Sequence, residues 1–170
     1  GLQVAQAGSH DWAISARGFN AQFANKLLVL IDGRTVYTPL FSGVYWDVQD
    51  TLLEDISRIE VVRGPGGTIW GANAVNGVIN IITKNAMETE DSLARLTYGN
   101  QEKSAAYRHG MKIDDDSSMR VNLQYKDRDE LKLANDRGSN DTWQQIRSEF
   151  RYDRDISESE SVMLQAALYS

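Results

Sequence analysis

The sequence predicts an α+β region, built from a mixed β-sheet with short helices, followed by an antiparallel β-meander. Three observations predict this order. Residues 1–86 contain fully apolar runs and many glycines, residues 87–170 alternate between apolar and polar side chains, and the polar stretch 87–91 separates them. Apolar runs are typical of a sheet covered on both faces, and alternation is typical of a sheet with one apolar and one wet face. We therefore place a domain boundary between residues 86 and 87.

The first region is predicted to hold six strands and a short helix. The run Leu27 to Ile31 is apolar throughout, and the dipeptide Asp32-Gly33 that follows it is a strong turn signal. Five of the 13 glycines lie between residues 64 and 77, which indicates positive φ or close backbone approach. Strands are predicted over residues 1–7, 13–19, 27–31, 34–37, 58–63 and 77–83, with one or two helical turns over residues 50–56.

The second region is predicted to be a meander of four strands and a fifth at the C-terminus. Met119, Val121, Leu123 and Tyr125 alternate with polar residues, and the same period of two recurs over 93–98, 103–113, 146–152 and 162–169. Such strands fit a soluble sheet that packs against another sheet, or a membrane barrel whose apolar side faces lipid. On the alternation alone we favour the soluble sheet, because the signal of each barrel strand is weak.

Charge and composition exclude several classes of protein. The net charge is −6, divided as −1 over residues 1–86 and −5 over residues 87–170, so the chain is a poor nucleic-acid binder. The absence of cysteine excludes disulfides, thiolate metal sites and thiol catalysis. The longest aliphatic run, residues 27–31, is too short to cross a bilayer as a helix.

Four segments of the first region form an ordered set of motifs. They are residues 15–19, which end in Arg17-Gly18-Phe19, the apolar strand with its Asp32-Gly33 turn, residues 56–65, and residues 71–84. Over about residues 1–85 these motifs resemble the plug domain of TonB-dependent outer-membrane receptors. The acidic meander lies where that family begins its transmembrane β-barrel. The resemblance reverses the preference for a soluble sheet.

The resemblance implies a transporter gate in the bacterial outer membrane and no enzyme. In this family the plug fills the barrel lumen, a small-molecule ligand docks from outside, and TonB pulls on an N-terminal box to open a path. The chain shows no such box and too few strands for a closed barrel, so we expect a segment of a longer receptor. Its expected partners are TonB, outer-membrane lipid and a ligand such as a ferric siderophore or another metal chelate.

Two loops are the expected ligand-binding surface. Residues 8–12 and 37–46 are rich in aromatic and polar side chains, and in the family the corresponding loops reach the outer apex of the plug. The alternative is that these aromatic side chains pack against the core. The expected ligand-binding residues are Ser9, His10, Trp12, Tyr37, Phe41, Tyr45 and Trp46.

Charged residues on otherwise apolar strands form a second candidate site. Buried charges are unfavourable unless they are paired, so Arg17, Arg58, Glu60 and Arg63 are expected to have partners. One interpretation is an ion-pair network within the domain. The interpretation that the family implies is a lock between plug and barrel wall.

Other sites are not expected. The loop 64–67 lacks the Gly-Lys-Ser/Thr ending of a phosphate-binding loop, and His10 and His109 share no metal-ligand spacing. We therefore expect no catalytic residue, no metal site and no cofactor. The alternative function is a soluble secreted β-rich binding or adhesion module.

Overall fold

The computed structural model describes residues 1–16, 18, 26–38, 40, 43–71, 73–133, 135 and 137–170. The chain divides into two compact units, Gly1–Thr83 and Lys84–Ser170. This division falls three residues before the boundary expected from the sequence. Among the described residues, no helix has the length and apolar character needed to cross a membrane.

The first unit contains a two-stranded and a four-stranded sheet. Strands β1 (Leu2–Gln6) and β2 (Trp12–Ala16) form an antiparallel hairpin. Strands β3 (Leu27–Ile31), β4 (Arg34–Thr35), β5 (Ile56–Arg63) and β6 (Gly77–Thr83) follow. They lie in the order β4-β3-β6-β5, with β3 parallel to β6 and the other pairs antiparallel. The mixed sheet predicted from the sequence is confirmed.

Strand β3 is buried along its whole length because side chains pack on both of its faces. On one face Val29 packs in a cluster with Ile79 of β6, and on the other face Leu28 packs with Val78. Burial on both sides explains why this strand reads as an unbroken apolar run. The first cluster is completed by Ala16, Leu27, Ile31, Val36 and Val44, and the second by Leu30 and Ala74.

Short helices connect the strands. A 3₁₀ helix covers Leu53–Asp55, inside the predicted helical turns, and β5 already begins at Ile56. One α-helical turn, α1 (Gly67–Trp70), lies within the glycine-rich loop, where no helix was predicted. Gly77 has φ 156°, and a Cβ there would lie 2.5 Å from the carbonyl oxygen of Val62, so the close pairing of β5 and β6 requires glycine.

The second unit is a five-stranded antiparallel meander. After a 3₁₀ helix, Ala86–Glu88, come β7 (Ser92–Tyr98), β8 (Glu102–Asp114), β9 (Ser117–Arg128), β10 (Trp143–Ser157) and β11 (Glu160–Tyr169). Each strand pairs with the next, and β7 and β11 form the two edges. The connections at one end of the sheet are short turns, 115–116 and 158–159, whereas residues 129–142 form a long connection at the other end.

This sheet buries its polar face and exposes its apolar face. In β9, Arg120, Asn122 and Gln124 are buried, whereas Val121 and Leu123 are 42% and 53% exposed. A soluble sandwich shows the reverse, because its apolar face is the buried one. The arrangement agrees with membrane barrel strands, whose apolar side faces lipid. Residues paired with β9 continue the two faces: Arg151, Glu149 and Arg147 the polar one, and Met111, Tyr107, Phe150 and Ile146 the apolar one.

Candidate functional site

The first candidate loop is the tight turn between β1 and β2. The Ala7 amide donates to the Asp11 carbonyl oxygen at 2.9 Å, which closes the turn. Ser9 is buried, and its hydroxyl lies 3.2 Å from Nδ1 of His10. His10 is partly exposed, with Nε2 3.9 Å from the Asp11 carboxylate. The turn therefore presents the His10 ring, while Ser9 points inward and orients it.

The second candidate loop starts at a tyrosine fixed in the core. The Tyr37 hydroxyl donates to the Leu27 carbonyl oxygen at 3.1 Å, and the ring packs against both apolar clusters. Burial raises the pKa of Tyr37 to about 12. The Thr38 amide donates to the Gly43 carbonyl oxygen at 2.8 Å and closes the loop behind this ring. Tyr37 thus fixes the base of the loop.

The end of this loop divides its two aromatic side chains between core and solvent. Trp46 packs against the cluster around Val29, whereas Tyr45 is 38% exposed. A turn follows at once, because the Val48 amide donates to the Tyr45 carbonyl oxygen at 3.3 Å. Phe41, also expected at this site, lies outside the described residues.

Both loops begin from one apolar core. Ile14 of β2, Tyr37 and Trp46 all pack against the cluster that contains Val29. Trp12, the first residue of β2, is partly exposed and pairs with Gln6 across the hairpin. The geometry thus separates residues that hold the loops (Ser9, Tyr37, Trp46) from residues with accessible side chains (His10, Trp12, Tyr45).

The charged residues of β5 form an ion pair within the first unit. Arg58 Nε donates to Glu60 Oε1 at 2.8 Å, and Asn80 Nδ2 donates to Glu60 Oε2 at 3.0 Å. The hydrogen bond from Arg58, assisted by the one from Asn80, lowers the pKa of Glu60 below its usual value of 4.5. The side chains of Arg58 and Glu60 remain 59% and 43% exposed, so solvent weakens the pair.

The four charged residues do not share one face. Arg58 pairs with Ile82 of β6, and Glu60 pairs with Asn80. Because Arg58 and Glu60 are two residues apart on β5, their side chains lie on the same side of the sheet. Arg63 pairs with Gly77 and has the opposite parity, so it lies on the other side. Arg17 is outside the described residues. The strand therefore presents cations on both of its sides.

Sequence reasoning missed two hydrogen bonds between Asp32 and Thr83. Asp32 Oδ1 accepts from the Thr83 amide and Oδ2 accepts from the Thr83 hydroxyl, each at 2.7 Å. Asp32 has φ 48°, a conformation that Asp adopts more readily than most residues. From the sequence, Asp32 indicated only a turn. The partner becomes visible only once β3 is known to pair in parallel with β6.

Comparison with known families identifies the first unit. Residues 1–78 match the family described as "TonB-dependent Receptor Plug Domain". The first unit belongs to the plug-domain family of the TonB-dependent receptors. The resemblance found in the sequence motifs is thereby confirmed, and the meander that follows the plug has the fold of barrel strands.

Two curated relatives of this receptor segment come from Vibrio. It is 32% identical over 108 residues to the vitamin B12 transporter BtuB of Vibrio vulnificus, which covers 62% of this chain and 17% of the relative. It is 34% identical over 105 residues to the iron-regulated outer membrane virulence protein of Vibrio cholerae, and this match covers 58% of the chain and 16% of the relative. The chain thus spans about a sixth of the length of the curated relatives it matches.

Solved structures of TonB-dependent receptors share the fold. The copper transporter OprC superposes over 99% of this chain and 26% of its own, with a TM-score of 0.73 and 15% identity. The ferric enterobactin receptor PfeA of Pseudomonas aeruginosa superposes over 99% of this chain and 28% of its own, with a TM-score of 0.67 and 18% identity. The ferric yersiniabactin uptake receptor FyuA of Yersinia pestis superposes over 99% of this chain and 27% of its own, with a TM-score of 0.66 and 20% identity.

Family membership places the chain among receptors and transporters. The homologues of this family are outer-membrane proteins that bind small ligands and interact with TonB. The plug and the barrel strands are the parts of such a receptor that this chain supplies.

Proposed function

We propose that this chain is the plug and first barrel wall of an outer-membrane receptor that gates TonB-energised uptake of a scarce nutrient. The ligand we propose is a ferric siderophore or another metal chelate. Binding and gating require no bond chemistry in this segment. TonB acts through a box N-terminal to the segment, and the lipid-facing partner is the outer membrane.

One observation supports the gating role above the others. A plug match over residues 1–78 is joined directly to a sheet that buries arginine, asparagine and glutamine and exposes valine, leucine and tyrosine. Exposed apolar area on this scale is unfavourable in water and favourable against lipid. The same observation argues against the soluble binding or adhesion module.

The choice of ligand class rests on the proteins that the chain resembles. The names of these relatives include ferric enterobactin, ferric yersiniabactin, copper and iron regulation. Vitamin B12 is the second candidate, because the relative of that name is 32% identical over 108 residues.

Within the plug we propose two kinds of ligand-site residue. His10, Trp12 and Tyr45 contact the ligand, because each keeps an accessible polar or aromatic surface on a loop or, for Trp12, at the strand end beside it. Ser9, Tyr37 and Trp46 hold those loops in place through the hydrogen bonds and packing described above. Phe41 belongs to the proposed site on sequence grounds alone.

We retain the lock between plug and barrel wall as a proposal for Arg17, Arg58, Glu60 and Arg63. Within the first unit the side chains of Arg58 and Arg63 are exposed, and a guanidinium is well suited to bind a carboxylate of the barrel wall.

Growth assays on the intact receptor test the proposal. Deletion of the gene should abolish growth on one ferric siderophore as sole iron source, and the wild-type gene should restore it. A strain that carries His10→Ala together with Tyr45→Ala tests the proposed ligand site. These changes should weaken ligand binding without lowering receptor abundance in the outer membrane. If the deletion strain fails to grow only when it must import vitamin B12, the second candidate ligand is favoured. If the deletion strain grows normally on every tested nutrient, the proposed uptake function is contradicted.

A further inference from the structure

Residues 84–91, which we call the anchor segment, lie across the polar face of β8, β9 and β10. Its most buried member, Ala86, has no exposed surface. The Ala86 amide donates to Asp153 Oδ2 at 2.8 Å, and Arg151 holds that carboxylate through Nε and Nη2 at 2.5 and 2.9 Å. A backbone amide of the segment is therefore bound to a buried ion pair on β10.

Strand β9 supplies the next contacts. Arg120 Nη1 donates to the Lys84 carbonyl oxygen and to the Thr89 hydroxyl, each at 3.1 Å. The Ser118 hydroxyl donates to Glu90 Oε1 at 2.6 Å. Arg120 and Ser118 are 4% and 1% exposed, so these bonds are shielded from water.

Strand β8 completes the site by close approach. The Gly110 amide donates to the Asp91 carbonyl oxygen at 2.9 Å, and Arg108 forms an ion pair with the Asp91 carboxylate. A Cβ on Gly110 would lie 1.6 Å from the Thr89 carbonyl oxygen, a distance that no side chain can occupy. The segment can pass this closely over the strand only because residue 110 is glycine.

The segment is also rigid by itself. Asn85 Oδ1 accepts from the Met87 amide at 2.9 Å, and Glu88 Oε2 accepts from the Asn85 amide at 2.8 Å. This reciprocal cap satisfies the amides at the start of the 3₁₀ helix Ala86–Glu88. A capped helix bound on three strands is a single unit with the sheet.

We propose that the anchor segment is a mechanical stop, at which rearrangement of the plug during gating ends. This inference rests on the proposed gating function. A pull on residues 1–83 that is transmitted along the backbone enters the second unit at Lys84. There it meets hydrogen bonds and ion pairs from Arg108, Arg120 and Asp153 that must break together, and bonds to charged, buried groups are the strong ones. The plug can then open while the chain beyond residue 84 stays fixed.

Hydrogen exchange of the intact receptor in increasing, sub-denaturing urea tests the stop. The amides of residues 86–91 are expected to remain protected together with β8–β10, at urea concentrations where the plug amides already exchange. Exchange of residues 86–91 in step with residues 1–83 would overturn the proposal. This readout does not depend on transport: absent uptake with a protected segment would refute the proposed function and leave the stop intact.

Two variants sharpen the result. Gly110→Ala should raise the exchange rate of the amides of residues 86–91 by about tenfold or more, because the segment is pushed off the strand. Gly99→Ala is the matched control, since its Cβ would meet no atom closer than 3.4 Å. Should Gly110→Ala fail to assemble, Ser118→Ala removes one contact without steric change and should raise the rate about threefold. Wild-type protection in both anchor variants would overturn the proposal.

Discussion

The Asp32 carboxylate holds both the amide and the hydroxyl of Thr83, at 2.7 Å each, across 51 positions of sequence. Asp32 begins the turn after β3, and Thr83 is the last residue of β6 and of the plug unit. The Asp32 amide also donates to the Ile81 carbonyl oxygen at 2.9 Å. The turn of one central strand thus fixes the exit of its parallel neighbour.

Replacement of Asp32 should therefore destabilise the plug. Asp32→Ala removes the acceptors of both the amide and the hydroxyl of the buried Thr83, which is expected to lower the free energy of unfolding by about 2–3 kcal/mol. Thr83→Val is the control, because it removes only the hydroxyl bond and should lower that free energy by about 1 kcal/mol. Thermal unfolding of the receptor in detergent measures both. Equal effects of the two variants would contradict the bidentate role.

The Tyr37 hydroxyl should lose its proton at a higher pH than an ordinary tyrosine. Its pKa of about 12 lies above the usual 10.0, so the stability that depends on its protonated hydroxyl is fully present below pH 10.0 and is lost as the pH rises through about 12. Tyr37→Phe should remove one late-titrating group from the tyrosinate absorbance curve and lower stability by about 1 kcal/mol through the lost bond to Leu27. A late part of the curve that is the same in Tyr37→Phe and wild type would contradict this assignment.

The pair between Arg58 and Glu60 should make a small, pH-dependent contribution. Because the pKa of Glu60 is lowered in the folded chain, the contribution is present above the usual pKa of 4.5 and is lost as the pH falls through the folded value. Glu60→Gln should flatten the difference in melting temperature between pH 6 and pH 3, and salt should weaken the wild-type difference. A wild-type curve that does not respond to salt would argue against an exposed ion pair.

The exposed face of β9 should tolerate charge badly at its centre. If Leu123 faces lipid, Leu123→Arg is expected to destabilise the inserted receptor by about 2–4 kcal/mol, whereas Gln144→Arg, on the same face near a strand end, should cost about 0–1 kcal/mol. Urea unfolding of the receptor from lipid vesicles measures both free energies. Similar values for the two variants would contradict membrane contact along this face.

Much of the strand pattern could be predicted from the sequence. The apolar run at β3 and the β-branched run at β6 predict strands at the observed bounds, because short apolar runs bounded by turn residues are typical of strands covered on both faces. The alternation around Val121 gave the strands of the meander. It could not say which face is buried, since a sandwich and a barrel share the same period. That question was decided by burial of Arg120 and by the plug that precedes the sheet.

The candidate site was less predictable for a physical reason. Aromatic residues in loops mark core packing and ligand contact equally, and only the structure distinguished the bonded hydroxyl of Tyr37 from the exposed ring of Tyr45. The position of the anchor segment was missed because it depends on long-range contacts, such as that of Ala86 with Asp153. Local spacing carries no signal of such pairs.

The strict parity of β9 limits how this part of the receptor can vary in length. Removing one residue, such as Asn122, would reverse the facing of the residues that follow it, so that Gln124 would turn toward the hydrocarbon and Leu123 toward the interior. Removing two would keep each remaining side chain on its own side, and the loop 129–142 is under no such rule. Insertions and deletions within this strand are thus restricted to even steps, while the long loop between β9 and β10 can vary in length freely.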